Sequence, residues 1–276
     1  MFYVSFCYIN YQEGRMNRQL ELIDNLLSEG LDEFTFDDAR AHLNVSTEAT
    51  ANFLARLRKI GLVDKLARGH YAIRPLGALG TSLVTEDLST AVGAAFESHE
   101  HRIAYLSALS ELGVLSHPVR TIYVACSKPV RFSTVSGKPL RVVLEKPETI
   151  HLEAEAVKNS WRSSLERALF ECALRVDLIG GVERLAEVIG SGSRDADARR
   201  MARLASEFGS RGFAAERRIA SIAMTLRLPL RLNPKVSVRQ PVIRLDPRDD
   251  RVVWTDSRYR VSWNTTVDEL QAIVGN

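Results

Sequence analysis

Residues 34–75 read FTFDDARAHLNVSTEATANFLARLRKIGLVDKLARGHYAIRP. Asp37 and Asp38 open a helix, since carboxylates suit the positive end of a helix dipole. Thr35 or Phe36 precedes it, and Asp38 completes a capping pattern with Thr35. Asn44 and Val45 interrupt the helix. Ser46 is a good N-cap for the next one, because its hydroxyl accepts an orphan backbone N–H. Ala49, Phe53, Leu54, Leu57 and Ile60 then recur at helical spacing, and Gly61 ends the helix. Residues 62–66 and 70–73 read as short strands around a turn at Ala67, Arg68 and Gly69, where Gly69 is free to take positive φ. Upstream, residues 18–27 with Leu20, Ile23, Leu26 and Leu27 supply a first helix. Helix, helix, turn, helix and hairpin is the order of a winged helix-turn-helix.

The second helix of the pair turns Thr47, Glu48, Ala51, Asn52, Ala55, Arg56 and Lys59 away from the apolar stripe. In such modules the N-terminal residues of this helix touch base edges. Asn52 suits adenine and Arg56 suits guanine, each through two parallel hydrogen bonds. Arg68 at the hairpin tip is placed for phosphate or minor-groove contact, and Lys65 adds charge beside it. The expected double-stranded DNA contacts are therefore Ser46, Thr47, Glu48, Ala51, Asn52, Arg56, Lys59, Lys65 and Arg68.

Charge qualifies this reading. The 276-residue chain has a net charge of +3. Residues 1–80 carry 9 basic and 10 acidic side chains, whereas residues 191–276 carry 16 and 10, and fifteen of those sixteen cations are arginine. Phosphate neutralisation supplies most of a DNA-binding protein's affinity. The N-terminal module is basic only locally, around Arg56, Arg58, Lys59, Lys65 and Arg68.

The length suits two or three domains. No apolar run reaches the roughly 18 residues of a membrane span. Cys7, Cys126 and Cys172 are odd in number and widely spaced, which suits a reducing cytoplasm better than a disulfide framework or a zinc site. Residues 1–11 are aromatic and apolar without a basic start or a small-residue cleavage site, so they make a poor signal peptide. They read as an arm or strand, unless translation begins at Met16; the mass of the native N-terminal peptide separates the two.

The expected organisation is α+β: an arm at 1–15, a winged-helix DNA-binding domain at 16–76, and a mixed α/β domain at 81–276. Residues 75–80 read as a linker, and so do Ser191, Gly192 and Ser193, which set a sub-boundary near 191. Helices are expected at 83–97, 99–113, 160–174, 182–189, 194–208, 211–226 and 268–274. Strands are expected at 120–125, 130–135, 140–144, 149–152, 236–238, 242–245, 251–255 and 259–263. His117-Pro118 breaks the chain and Gly180-Gly181 makes a turn.

No catalytic constellation emerges. His99-Glu100-His101 has the wrong spacing for two ligands on one helical face and reads as a solvated helix start. His42, His70, His117 and His151 are scattered. Gly180-Gly181 lacks the Lys-Ser/Thr of a phosphate loop. Glu166-Arg167 and Glu171-Arg175 read as surface ion pairs, Cys172 as core, and Trp254 and Trp263 as packing residues. No cofactor and no metal is expected.

The order of features resembles the AbiEi-type antitoxins of type IV toxin–antitoxin systems. Four pieces carry the resemblance: residues 57–63 with 68–72 of the winged helix; 104–109 followed by 112–114; the strand 121–126 leading into Arg131; and 163–169 followed by Gly180-Gly181. They span about residues 18–190. The residues 1–11 and His70 depart from the common pattern. The resemblance implies a repressor whose winged helix binds inverted repeats in its own promoter, where two half-sites admit either a dimer on DNA or two monomers without a stable dimer in solution. It also implies a C-terminal part that counteracts a nucleotidyltransferase-like toxin. The basic C-terminal third then faces either DNA backbone or an acidic partner surface. The alternative is a protein-interaction module that uses the winged helix only as a scaffold.

Overall fold

The structure, a computed structural model, describes residues 18–74, 87–115 and 119–274. The arm at 1–15, the linker at 75–80, the start of the helix expected at 83–97 and the His117-Pro118 break lie outside the described residues. Contacts divide the chain into two units, Met1–Thr85 and Glu86–Asn276.

The first unit runs α1 (Arg18–Ser28), β1 (Glu33–Thr35), α2 (Phe36–Leu43), α3 (Thr47–Lys59), β2 (Val63–Ala67) and β3 (His70–Ile73). The two hairpin strands pair antiparallel, and β1 pairs with the outer side of β3, giving the order β1-β3-β2. Leu22, Leu26, Phe34, Ala39, Leu43, Leu54, Leu57, Val63 and Tyr71 form the core, with the Phe34 and Tyr71 rings stacked at 5.6 Å. This is a winged helix-turn-helix. Two details differ from the sequence reading. The buried stripe of α3 is Thr50, Leu54 and Leu57, while Ala49 and Ile60 face solvent. The strand β1 is not legible in the sequence, because three residues show no period and its partner lies far along the chain.

The second unit is built on a mixed six-stranded sheet of order β6-β7-β5-β4-β9-β8. Its elements begin with α4 (Leu88–Ala95), β4 (His101–Ile103), α5 (Tyr105–Glu111), β5 (Ile122–Cys126), β6 (Thr134–Val135) and β7 (Lys138–Leu144). There follow α6 (Pro147–Ile150), β8 (Ala154–Val157), β9 (Ser160–Ser163), α7 (Leu165–Leu174), α8 (Val176–Ile179) and α9 (Val182–Gly192). The chain continues through α10 (Ala198–Glu207), α11 (Gly209–Thr225), β10 (Ile243–Arg244), β11 (Trp254–Asp256), β12 (Val261–Trp263) and α12 (Val267–Val274). The last three strands form a small sheet of order β10-β12-β11. One hydrophobic core runs from Ala91 to Leu270.

Several expectations are corrected. The helix expected at 99–113 is a buried strand, β4, followed by a shorter helix. The strand expected at 149–152 is instead the last two residues of α6 and a turn, and Pro147 is well placed at a first helical position. The helix expected at 160–174 begins only at Leu165, capped by Ser164, after the strand β9. Of 130–135 only Thr134–Val135 pairs, and 236–238 contains no strand. Ser191 and Gly192 are helical rather than linker, and Gly192 is buried. Its ideal Cβ would lie 2.9 Å from Leu169 Cδ1, so α9 packs closely on α7 there.

Candidate nucleic-acid interface

Local hydrogen bonds set the pose of α3. Thr35 caps α2 in a reciprocal box: Asp38 N–H donates to Thr35 Oγ1 at 3.1 Å, and Thr35 N–H and hydroxyl both donate to Asp38 Oδ2 at 2.7 Å. The Thr35 backbone and side-chain donors hold the Asp38 carboxyl below its usual range. Asn44 ends α2 in the left-handed region, φ 48°, which asparagine tolerates better than most residues. Its N–H still reaches Arg40 O at 2.9 Å. Ser46 Oγ accepts Ala49 N–H at 3.2 Å, and the Thr50 hydroxyl donates to Ser46 O at 3.0 Å. The tight turn and the start of α3 are thus fixed from both sides.

The buried stripe then decides what α3 presents. With Thr50, Leu54 and Leu57 inward, Ser46, Thr47, Glu48, Ala51, Asn52, Arg56 and Lys59 are all exposed. Arg58 belongs with them. It stands seven residues after Ala51, hence on the same helical face, and is exposed too. That spacing is legible in the sequence.

The wing is equally constrained. Arg74 clamps Asp64 through two parallel bonds, Nε to Oδ2 at 2.6 Å and Nη2 to Oδ1 at 2.7 Å. Gly61 (φ +75°) and Gly69 (φ +83°) occupy the conformations that turn the chain out of α3 and around the hairpin tip. Gly69 O accepts Phe36 N–H at 2.7 Å, which ties the tip to the first residue of α2. Lys65 and Arg68 are exposed. Among the described residues, no ion pair holds Arg56, Arg58, Lys59, Lys65 or Arg68.

The second unit uses its charges differently. Arg102, Arg167 and Glu171 are 0%, 1% and 2% exposed. Arg102 contacts Glu171, Glu145 Oε2 at 2.9 Å, Ser163 Oγ at 2.9 Å and the Ile150 carbonyl. Arg167 contacts Glu145 and reaches Glu171 Oε1 at 2.9 Å. Glu171 Oε2 also accepts Tyr105 N–H at 3.0 Å and the Ser163 hydroxyl at 3.1 Å. Burial opposes the Glu171 charge, but Arg102 and Arg167 outweigh it and hold the carboxyl below its ordinary value. The surface pairs expected at 166–167 and 171–175 are therefore corrected. Glu171 belongs to this buried network, while Arg175 is bidentate with Asp177 at 2.8 Å. The signal was present in α7, LERALFECAL, which is apolar around most of its circumference, so its charges had to be interior.

His101 is likewise no solvated helix start. It is buried in β4, with Nδ1 2.8 Å from His99 O and Nε2 2.9 Å from Ser160 Oγ, and burial pushes its pKa down. Cys172 is buried as expected, and Trp263 is fully buried with Trp254 4.8 Å away.

Most cations of the arginine-rich third fall into three sets. Arg217 and Arg218 are buried in α11 and donate to backbone carbonyls. Arg217 reaches Tyr259, Pro241 and Arg260 at 2.6–3.0 Å; Arg218 reaches Arg244 at 2.9 Å and Ala173 at 3.0 Å. Burial lowers Arg218 to about 10, so it keeps its charge at neutral pH. Arg200, Arg203, Arg244, Arg248 and Arg251 are paired with carboxylates. Arg194, Arg199, Arg211, Arg227, Lys235 and Arg239 are exposed without an ion pair among the described residues. Much of the basic excess is thus consumed in holding the C-terminal segment together.

Among the described residues, no helix is long and apolar enough to cross a membrane. Among solved structures, the chain is similar to the RV2827C protein from Mycobacterium tuberculosis. The likeness has a TM-score of 0.66 and 18% identity, and it covers 95% of this chain and 96% of that one. At that identity it speaks to the fold alone, across both units. No curated protein matches the chain. Residues 21–74 match the family described as "Transcriptional regulator, AbiEi antitoxin". The match begins within α1 and runs through the wing, so the N-terminal unit is similar to the winged-helix module of the AbiEi antitoxin regulators.

Proposed function

We propose that this chain is a cytoplasmic, sequence-specific DNA-binding antitoxin that represses its own toxin–antitoxin operon and counteracts a nucleotidyltransferase-like toxin. The observation that carries the reading is the exposed face of α3, with Thr47, Glu48, Ala51 and Asn52 in its first two turns and Arg56 in its last, in a module similar to a transcriptional-regulator family. Asn52 and Arg56 read adenine and guanine edges in the major groove. Lys59, Lys65 and Arg68 neutralise phosphates, and Ser46 fixes the helix start. Because the module is close to neutral overall, two copies on inverted half-sites supply the affinity that one lacks. The toxin and operon parts of the proposal follow from the family's character as an antitoxin.

The pair Arg56→Ala and Arg68→Ala tests the assignment. Loss of a bidentate base contact relaxes discrimination at one position by about 1–3 kcal/mol, whereas loss of a phosphate contact weakens binding on all sequences alike. If the two variants act identically on the chain's own upstream DNA and on point-substituted versions of it, α3 does not read the groove as assigned.

A further inference from the structure

A second surface lies in the C-terminal unit and does not depend on the DNA reading. Strand β7 pairs in parallel with β5 along Leu140–Leu144, but its other side meets β6 only at Lys138 and Pro139. Leu140 N–H is taken by Ser133 O at 2.8 Å on the β6 side, and Glu145 N–H by Cys126 O at 3.0 Å on the β5 side. In a parallel ladder, alternate residues aim their backbone groups to opposite sides. The N–H and C=O of Val142 and Leu144 therefore point away from β5, and among the described residues no strand meets them. Leu144 is 61% exposed.

This edge borders a groove. Tyr123 stands opposite Arg141 in the β5–β7 register, and its hydroxyl donates to Leu178 O at 2.8 Å. That bond seats α8 over the Arg141 face of the sheet. Arg141, Val142, Val143, Leu144, Arg175 and Leu178 line an open groove of about 380 Å³ between the strand edge and the helix. A strand edge beside a helix is an arrangement that accepts an added peptide strand: main-chain bonds hold it, and side-chain pockets select it.

Charge identifies the occupant. Arg120, Lys128, Arg131, Lys138, Arg141 and Lys146 are all exposed, and none has an ion pair among the described residues. The one carboxylate in residues 119–147, Glu145, is already bound by Arg102 and Arg167. Such charges also guard an edge against pairing with its own copy. We propose that the free edge of β7, with the groove against α8, is a strand-addition site for an extended, acidic segment of a partner protein. Val142 and Leu144 supply main-chain bonds, Arg141 and its neighbours meet the partner's carboxylates, and Leu178 with Val143 receives an apolar side chain.

The test uses the full chain and a fluorescein-labelled Glu-Val-Glu-Val-Glu-Val-Glu peptide, with its Lys-for-Glu counterpart as control. The acidic peptide binds and the lysine peptide does not. Arg141→Glu and Val142→Pro each weaken binding about tenfold or more, the latter by removing an outward N–H donor. Amide exchange at Val142 and Leu144 slows when the acidic peptide is present. Tryptophan-fluorescence melting confirms that each variant is folded, and Arg141→Glu alone carries the test if Val142→Pro is not. The proposal is overturned if the acidic peptide fails to bind, if Arg141→Glu leaves its binding unchanged, or if the protected amides lie elsewhere. It is also overturned if a DNA duplex, but not the peptide, protects this edge, or if the protection comes from self-association of the chain.

Discussion

Replacing Glu171 by glutamine should destabilise the C-terminal unit far more than replacing an exposed glutamate. Arg102 and Arg167 are essentially without solvent contact and share two carboxylates, Glu145 and Glu171. Glutamine keeps the shape and one acceptor oxygen for Tyr105 N–H or Ser163, but leaves two buried cations facing one anion. Removing one partner of a buried ion pair typically costs about 3–5 kcal/mol, and the retained acceptor places Glu171→Gln near the lower end. Glu171→Ala also orphans the Tyr105 amide, so it belongs at the upper end. Trp161, Trp254 and Trp263 are the chain's three tryptophans and all lie in this unit, so their fluorescence during urea unfolding reports on it selectively. With a slope near 2 kcal/mol per molar urea, a loss of about 3 kcal/mol moves the midpoint down by about 1.5 M. The control is Glu155→Gln, which breaks the exposed Arg162–Glu155 contact at 3.1 Å and should cost less than about 1 kcal/mol.

The pH dependence has a fixed sign. Glu171 is held below its ordinary value of 4.5. Its contribution is full above that value and is lost as pH falls through the lower folded-state value, so the variant should lose less stability in acid than the wild type. A midpoint shift no larger than that of Glu155→Gln would refute the claim that this network holds the unit together.

Three further outcomes follow from individual residues. Ser46→Ala removes the cap on α3, and the Ala49 amide should exchange roughly fivefold faster, the equivalent of about 1 kcal/mol. Glu216 is buried in α11, and burial raises its carboxyl to about 6. A raised acid favours the protonated native state, so stability falls as pH climbs from the ordinary carboxyl value through 6. Glu216→Gln should therefore raise the melting temperature at pH 8, by on the order of 1–2 kcal/mol of stability, with little gain at pH 4. Arg74→Ala releases Asp64 at the base of the wing, and should speed amide exchange in β2 and β3 by more than in α1.

The winged helix was legible in the sequence because its signals are local. Thr35 with Asp38, Ser46, Gly61 and Gly69 each fix a boundary within four residues of themselves, and the apolar spacing of α3 spans only one helix. The same reasoning failed wherever a residue's role depends on distant partners. β1 has no meaning without β3, and His101 reads as part of a solvated helix start until β9 and Ser160 are beside it. Pro147 hid a helix where the apolar residues Ile150 and Leu152 pointed to a strand. Ser191, Gly192 and Ser193 look like a linker, but Gly192 is small because α9 lies against Leu169. For the candidate site, the exposed face of α3 followed from its period, whereas the division of the arginines into buried ties and free cations needed the fold.

The central claim is that α3 and the wing read a DNA site. The most direct measurement is a binding titration of the full chain against a duplex of its own upstream region and a scrambled duplex of equal length, at two salt concentrations. The account predicts clear preference for the upstream duplex and affinity that falls steeply with salt. The log–log slope should be near −3 for each bound copy, if Lys59, Lys65 and Arg68 each meet a phosphate. Equal binding to both duplexes, or binding that salt does not weaken, would contradict it.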